Sequence, residues 1–132
     1  DIPVLVKNPI NPDIELWIGA LERLSLAGIN RVAAIHRGFS TYGDTTYRNT
    51  PIWEIAAELH NRIPELPILC DPSHIGGSRE LIQPIAEAAL SRNYAGLFVE
   101  VHNNPDIALS DSNQQITPAT LQTILNNLNI NL

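Results

Sequence analysis

Short apolar runs alternate with helical patterns four times along the chain. The runs begin near positions 3, 31, 67 and 96, an average spacing of about 31 residues, and the last of them covers 96–102. The segments between them predict helices over 13–27, 51–61, 79–92 and 117–127. Because helix-sized intervals separate the strands, the strands should be parallel neighbours. The pattern predicts an α/β fold of four consecutive βα units in a single domain, 1–132.

Several residues mark where the predicted helices begin and end. Gly28 ends the first helix, and Pro51 suits the start of the second after a polar loop over 39–49. Thr117 is the best N-cap of the last helix, because Pro118 then takes the first helical position. The polar end 126–132 predicts a fraying helix or the start of a linker.

Composition narrows the class of protein. A chain of 132 residues is short for a complete α/β barrel, which takes roughly 200 residues or more. A net charge of −6 with eight Lys and Arg argues against nucleic-acid binding, and no apolar run approaches the ~20 residues of a membrane span. The one cysteine, Cys70, lies in an apolar run and predicts a buried, reduced thiol. No signal peptide is apparent, and a single buried thiol fits a reducing cytosol, so we expect a cytoplasmic location.

Three potential metal ligands lie at the ends of predicted strands: His74, Glu100 and Asp111. One imidazole and two carboxylates suit Mn²⁺, Fe²⁺, Co²⁺ or Zn²⁺ with positions left open for substrate. Taken alone, His74 is better explained as a capping or solvent-facing residue. Glu100 lies inside an apolar run, where an uncompensated charge is costly, so a partner should neutralise it. Asp111 could instead cap the last helix, although Thr117 is better placed to do so.

Cationic side chains occur at the same strand ends. Lys7 and Arg37 are candidate anion binders for phosphate or carboxylate, with Arg48 in the following loop as a weaker one. His36 and Arg37 are adjacent in a strand, so they should face opposite sides. His102 should share a face with Glu100, as a proton-handling group or in a structural hydrogen bond. Ligands bind at this edge of parallel sheets, which indicates a metal beside an anionic substrate.

Six short motifs carry these candidate residues. The glutamate follows the histidine by 26 residues and the aspartate follows the glutamate by 11. In chain order the motifs are Leu5-Val-Lys-Asn8, His36-Arg-Gly38 with Tyr47-Arg-Asn49, Asp71-Pro-Ser-His-Ile-Gly-Gly77, Val99-Glu-Val-His102 and Ala108-Leu-Ser-Asp111. Together they resemble the second half of a 3-deoxy-D-arabino-heptulosonate 7-phosphate (DAHP) synthase, a (β/α)₈ enzyme of the shikimate pathway. The resemblance covers nearly the whole chain.

The resemblance implies a metal-dependent, aldol-type condensation of phosphoenolpyruvate with erythrose 4-phosphate. His74, Glu100 and Asp111 match the family's metal ligands, with Mn²⁺ preferred over Fe²⁺, Co²⁺ or Zn²⁺. Lys7 and Arg37 match residues that hold phosphoenolpyruvate, and Lys7 and His74 are the expected catalytic residues. We assign Arg48 and His102 to substrate binding as well. The metal would act as a Lewis acid on the aldehyde oxygen or orient a water.

The chain also departs from the complete family pattern. The first four strands of such a barrel carry a cysteine metal ligand and a Lys-Pro-Arg-Thr stretch, and neither is present here. Cys70 lies on a later strand and does not match that ligand. We therefore expect strands five to eight of a TIM barrel, a fragment that is inactive without the N-terminal half-barrel. Opening a barrel exposes two strand edges, which predicts that copies of the chain form homo-oligomers or that the fold opens into a sandwich-like layer. The resemblance also implies a fused chorismate mutase domain as a partner, since related synthases are often fused to one.

Two alternative functions stay open. The related 3-deoxy-D-manno-octulosonate 8-phosphate (KDO 8-phosphate) synthase shares the enol chemistry but takes a longer sugar phosphate. Asp71-Pro-Ser-His74 and Tyr47-Arg-Asn49 favour the heptulosonate enzyme. From a different class of protein, the chain could be a non-catalytic scaffolding or regulatory half-barrel module.

Overall fold

Four strands alternate with helices along the chain, as the apolar pattern predicts. The computed structural model describes residues 2–43 and 46–130. The strands are β1 (Val4–Lys7), β2 (Val32–His36), β3 (Ile68–Cys70) and β4 (Gly96–Leu97). The helices are α1 (Ile14–Leu26), α2 (Trp53–Arg62), α3 (Pro72–Gly76), α4 (Ile82–Leu90) and α5 (Pro118–Asn127), with 3₁₀ turns at Arg79–Leu81 and Pro105–Ile107. Residues 44 and 45 of the predicted polar loop and 131–132 of the predicted fraying end lie outside the described residues.

The strands form one parallel sheet in the order β1-β2-β3-β4. Lys7 pairs with Ile35, Ile35 with Leu69, and Cys70 with Leu97. Since all four strands run the same way, their carboxyl ends meet at one edge, where the predicted site residues lie. The expected α/β architecture of four βα units, half of a barrel, is confirmed.

The helices cover one face of the sheet. Ala34 and Ile68 of the sheet pack with Trp17 and Leu21 of α1 in a buried cluster, and Val6 joins it. Strand residues alternate between faces, so Leu5 and Lys7 lie on the opposite side from Val6. Leu5 is 46% exposed there. The face that would line the inside of a barrel is therefore less well covered at this outer strand.

Most predicted helix boundaries agree with the structure, and two differ. The α1 helix is capped by Asp13, and α5 is capped by Thr117 as expected. The α2 helix begins at Trp53 rather than Pro51, because Ile52 adopts a left-handed conformation with φ 34° that no helix can include. A 3₁₀ turn replaces the start of the helix predicted at 79, and α3 was not predicted at all.

The fourth strand is shorter than predicted. We expected 96–102, but sheet pairing ends at Leu97. The cause is β3, which ends at Cys70 because α3 begins at Pro72 and leaves no extended neighbour for pairing. The Glu100 N–H instead donates to the buried Ser73 hydroxyl at 3.1 Å. Glu100 therefore lies just after the strand and not within it.

Two further points concern the cysteine and the lengths of the helices. Cys70 is an unpaired, fully buried thiol, and burial raises its pKa. Among the described residues, no helix has the length and apolar character needed to cross a membrane.

Candidate metal centre

The three predicted ligands converge at the carboxyl edge of the sheet. His74 lies on α3, Glu100 follows β4, and Asp111 lies in the loop before α5. Their ligand atoms lie within 4.8 Å of one another, with His74 Nε2 3.8 Å from Glu100 Oε1 and 4.0 Å from Asp111 Oδ2. Two atoms that each lie about 2.0–2.2 Å from one ion are separated by about 3–4.3 Å. Both distances from His74 Nε2 fall in this range, and the donor set suits a divalent cation.

Asp71 contacts both the backbone and the ring of His74. It is the N-cap of α3, and its Oδ1 accepts the His74 backbone N–H at 3.0 Å. Its Oδ2 lies 2.8 Å from His74 Nδ1. A carboxylate against one ring nitrogen leaves the other free to bind a metal, which is the usual arrangement behind metal-binding histidines. Nε2 is accordingly the atom that faces Glu100 and Asp111.

Lys7 neutralises the buried Asp71 carboxylate. Its Nζ donates to Asp71 Oδ2 at 2.9 Å, and it also lies 5.0 Å above the centre of the Phe98 ring. Burial raises the pKa of Asp71, but the contacts with His74 and Lys7 outweigh it, so the net shift is downward. Asp71 is therefore charged at neutral pH although its side chain is fully buried.

In each carboxylate of the cluster, the oxygen that does not face His74 accepts a hydrogen bond. Asp111 Oδ1 accepts from Arg48 Nη1 at 2.6 Å, and Glu100 Oε2 accepts from Gln114 Nε2 at 2.7 Å. Gln114 Oε1 in turn accepts from Arg48 Nη1 at 2.6 Å. The hydrogen bond from Arg48 is the largest contribution to the lowered pKa of Asp111. Oε1 of Glu100 and Oδ2 of Asp111 are thus the oxygens that point towards His74.

The loop that carries Asp111 is tied down by Arg79. Arg79 donates from Nε to the Gln115 carbonyl at 2.8 Å, and from Nη2 to the Ser112 carbonyl at 2.9 Å and to Asp106 at 2.7 Å. Asp111 itself has φ 50°, a left-handed conformation that aspartate tolerates better than most residues. This backbone turn aims the Asp111 side chain into the cluster.

The loop that carries Arg48 docks directly on α3. The N–H groups of Arg48 and Asn49 donate to the carbonyls of Gly76 and Ile75, and Asn49 Nδ2 donates to the His74 carbonyl at 2.7 Å. Gly77 makes this approach possible, because a Cβ there would lie 2.6 Å from Arg48 Cβ. The histidine and the arginine are therefore positioned by the same contact.

Arg37 is positioned by the first loop. Asn8 Oδ1 accepts the Arg37 backbone N–H at 2.7 Å, while Asn8 Nδ2 donates to the Gly38 carbonyl at 2.8 Å. The Arg37 guanidinium also contributes to the lowered pKa of Asp111. Together with Lys7 and Arg48 it gives the carboxyl edge three cations beside the cluster.

His36 faces the opposite side of the sheet, as the alternation of strand residues predicts. It is fully buried among the rings of Trp17, Phe39, Trp53 and Tyr94, and its Nδ1 lies 2.7 Å from the Tyr94 hydroxyl. Burial lowers its pKa to about 4. His36 is a neutral core residue and not part of the site.

His102 lies beyond β4, which ends at Leu97, and its neighbour Val101 forms an isolated parallel bridge with Ile116. Its N–H donates to the Ile116 carbonyl at 2.9 Å, and its Nδ1 accepts the Asn104 backbone N–H at 3.0 Å. The structure thus shows the structural hydrogen bond that was one of two expectations. A role in substrate binding stays a prediction.

Two site residues were missed by sequence reasoning, Asp71 and Gln114. Asp71 had a usable signal, since an aspartate directly before a proline is a typical N-cap with proline at the first helical position. Gln114 had none. It lies 14 residues from Glu100 and 66 from Arg48, and only the tertiary fold joins them.

Two cavities differ in their relation to this site. One of about 330 Å³ adjoins the cluster and is lined by Arg48, Gly77 and residues 111–114. A larger one of about 580 Å³ lies at the amino ends of β3 and β4, lined by residues of α2 and by Arg92–Ala95. Ligands of parallel sheets bind at the carboxyl ends, so we associate the smaller cavity with function.

The sequence of this chain is similar to one family model and to several known proteins. The sequence model of the DAHP synthetase I family matches residues 1–131. A phospho-2-dehydro-3-deoxyheptonate aldolase from Thermotoga maritima is 35% identical over 114 residues, covering 86% of this chain and 33% of the relative. A 2-dehydro-3-deoxyphosphooctonate aldolase from Brucella ovis is 29% identical over 120 residues, covering 80% of this chain and 42% of the relative.

Solved structures agree with the sequence matches. The crystal structure of the Thermotoga maritima DAHP synthase superimposes with a TM-score of 0.87 at 31% identity, covering 96% of this chain and 37% of that one. A truncated form from the same organism gives a TM-score of 0.86 at 31% identity, with 96% and 48% covered. This chain therefore spans between a third and a half of the proteins it resembles.

Proposed function

Since the chain belongs to the DAHP synthetase I family, we propose that it is the C-terminal half-barrel of a DAHP synthase, forming one unit over 1–132. In the complete enzyme it would take part in the condensation of phosphoenolpyruvate with erythrose 4-phosphate. The observation that carries the proposal is the convergence of His74, Glu100 and Asp111, with Asp71 behind the histidine. The single buried thiol, Cys70, supports a cytoplasmic location.

The chain's own residues suggest how the site would work. His74, Glu100 and Asp111 would hold a divalent metal, Mn²⁺ before Fe²⁺, Co²⁺ or Zn²⁺, which when bound supplies Lewis-acid polarisation of the aldehyde oxygen. Lys7 and Arg37 would bind the phosphate and carboxylate of phosphoenolpyruvate, while Arg48 and His102 would contact substrate at the rim. Asp71 would keep His74 in the tautomer that presents Nε2 to the metal.

Half a barrel should not complete the reaction. The family's cysteine ligand and Lys-Pro-Arg-Thr stretch are absent from this chain, and the missing strands would supply them. We therefore propose that the isolated chain is inactive and needs an N-terminal half-barrel.

Activity should be measured with this chain alone and with the first four βα units of a family barrel supplied as a separate polypeptide. Phosphoenolpyruvate consumption that depends on both pieces and on Mn²⁺ supports the proposal. A double variant, Lys7→Ala with Arg37→Ala, should then abolish turnover. Full activity in that variant would remove the substrate roles assigned to these two residues.

A KDO 8-phosphate synthase is the second candidate, because the octonate aldolase from Brucella ovis is also similar. The two activities differ in the length of the aldehyde phosphate. Comparing erythrose 4-phosphate with a five-carbon aldehyde phosphate in the reconstituted barrel distinguishes them. Preference for the longer substrate would favour the second candidate.

A further inference from the structure

We propose that Gln114 is a positioning residue that holds Glu100 and Arg48 apart and keeps Glu100 ready to bind the metal. The inference rests on the proposed metal site and deepens it. Gln114 donates from Nε2 to Glu100 Oε2 and accepts at Oε1 from Arg48 Nη1, so both ends of its amide are in use. It is 1% exposed.

The chemistry of the neighbours fixes the direction of the amide. A guanidinium only donates hydrogen bonds and a carboxylate only accepts them. Gln114 can therefore satisfy Arg48 and Glu100 together only with its oxygen towards the first and its nitrogen towards the second. A buried amide with two charged partners is held in a single orientation, because turning it over would lose both bonds.

This geometry separates two opposite charges. Arg48 Nη1 already binds Asp111 Oδ1 at 2.6 Å. Without the amide between them, the guanidinium could move to pair directly with Glu100 and draw that carboxylate away from His74 Nε2. With the amide present, Glu100 Oε2 is occupied and Oε1 faces His74 at 3.8 Å. Gln114 thus decides which oxygen of Glu100 is offered to a metal.

Two substitutions separate positioning from the filling of space. Gln114→Met keeps the length of the side chain but removes both hydrogen bonds. Gln114→Glu keeps the acceptor for Arg48 and replaces the donor to Glu100. The matched control is Gln115→Met, because the Gln115 amide donates to the Ser110 carbonyl and not to a proposed ligand.

The readouts are Mn²⁺ affinity, from the electron paramagnetic resonance of free Mn²⁺, and the visible absorption of bound Co²⁺, which reports coordination geometry. We expect Gln114→Met to weaken Mn²⁺ binding about tenfold or more and to change the Co²⁺ spectrum. Gln115→Met should match the parent chain in both. Circular dichroism checks that each variant is folded. If Gln114→Met does not fold, Gln114→Glu replaces it in both measurements.

The outcomes distinguish this inference from the metal site on which it rests. If the parent chain binds Mn²⁺ and His74→Ala does not, the site stands; parent-like binding and spectrum in Gln114→Met would then overturn the positioning role alone. Parent-like Mn²⁺ binding and an unchanged Co²⁺ spectrum in Gln114→Glu would overturn it too, since that variant lacks the donor to Glu100. Absence of binding by the parent, or unchanged binding in His74→Ala, would overturn the metal site and this inference together.

Discussion

At the scale of single residues, Asp71 connects folding with the proposed chemistry. One buried carboxylate caps α3, contacts the His74 ring and pairs with Lys7. Such a group is costly to bury unless every oxygen is satisfied, and here its partners come from two different strand ends. Stability and the placement of the His74 ring, whose Nε2 faces the other two potential ligands, are therefore coupled through one side chain.

Replacing Asp71 with asparagine tests this coupling. The change keeps the cap but removes the charge, so we expect a loss of about 2 kcal/mol in the free energy of unfolding, moderated because Lys7 is partly exposed. Mn²⁺ affinity should fall by about 10–100-fold. Urea unfolding and metal titration measure the two effects. Asp13→Asn is the control, since Asp13 also caps a helix but is exposed; equal effects in both variants would contradict the special role of Asp71.

His36 should make stability depend on pH. Its pKa is about 4 in the folded chain and about 6.5 when unfolded, so between these values only the unfolded state takes up the proton. The free energy of unfolding therefore has its full value above pH 6.5. It decreases by about 3 kcal/mol in total as the pH falls towards 4.

Urea unfolding at pH 7 and pH 5 checks this sign. Between pH 7 and pH 5, the free energy of unfolding of the unsubstituted chain should fall by about 2 kcal/mol more than that of His36→Phe. His60 is exposed, and His60→Asn should behave as the parent does. An equal pH dependence in His36→Phe and the parent would mean that His36 does not contribute.

At the scale of elements, the site depends on how loops dock on the short helix α3. The Arg48 loop approaches α3 through backbone hydrogen bonds, and Arg79 holds the Asp111 loop from the other side. These contacts are absent from any local sequence pattern, because each joins segments that are far apart in the chain. The close approach at Gly77 is the point where they are most sensitive to substitution.

Gly77→Ala should disturb this docking more than its backbone conformation alone explains. Gly77 has φ 69° and its added Cβ would meet Arg48, whereas Gly28 has φ 80° and open space around it. Gly28→Ala should lower the free energy of unfolding by about 1 kcal/mol, and Gly77→Ala should lower it by at least about 1 kcal/mol more. Only Gly77→Ala should also weaken Mn²⁺ binding. Thermal unfolding and metal titration measure both. Equal costs would show that Arg48 moves aside freely.

At the scale of the whole molecule, helices cover one face of the sheet, and the opposite face is poorly covered at the outer strand β1. Helices pack on one side, while Leu5 on the other is 46% exposed. Within the described residues, β1 and β4 are the outer strands of the sheet and each pairs on one side only. Edges of this kind favour association with another chain.

We therefore expect the isolated chain to self-associate as its concentration rises. Leu5→Glu should weaken association, because it places a charge on the face that would be buried. Leu26→Glu is the control, since Leu26 is 88% exposed at the end of α1, on the helix side. Sedimentation velocity over a range of concentrations measures this. A strictly monomeric parent at high concentration would count against the prediction.

The sequence by itself determined the four βα units, the parallel order implied by their spacing, and the three potential ligands His74, Glu100 and Asp111. These follow from local information: apolar periodicity, capping residues, and the rule that polar residues gather at the carboxyl ends of parallel strands. The caps at Asp13 and Thr117 need only neighbouring residues.

Only the tertiary structure decided that β4 stops at Leu97 and that Gln114 joins Glu100 to Arg48. The sequence could not supply these because each depends on what another segment offers at that point. A strand continues only while its neighbour stays extended, and a buried polar group settles where a distant partner satisfies it. Chemistry-bearing residue types are thus local properties of the chain, whereas the hydrogen bonds that aim them are properties of the fold.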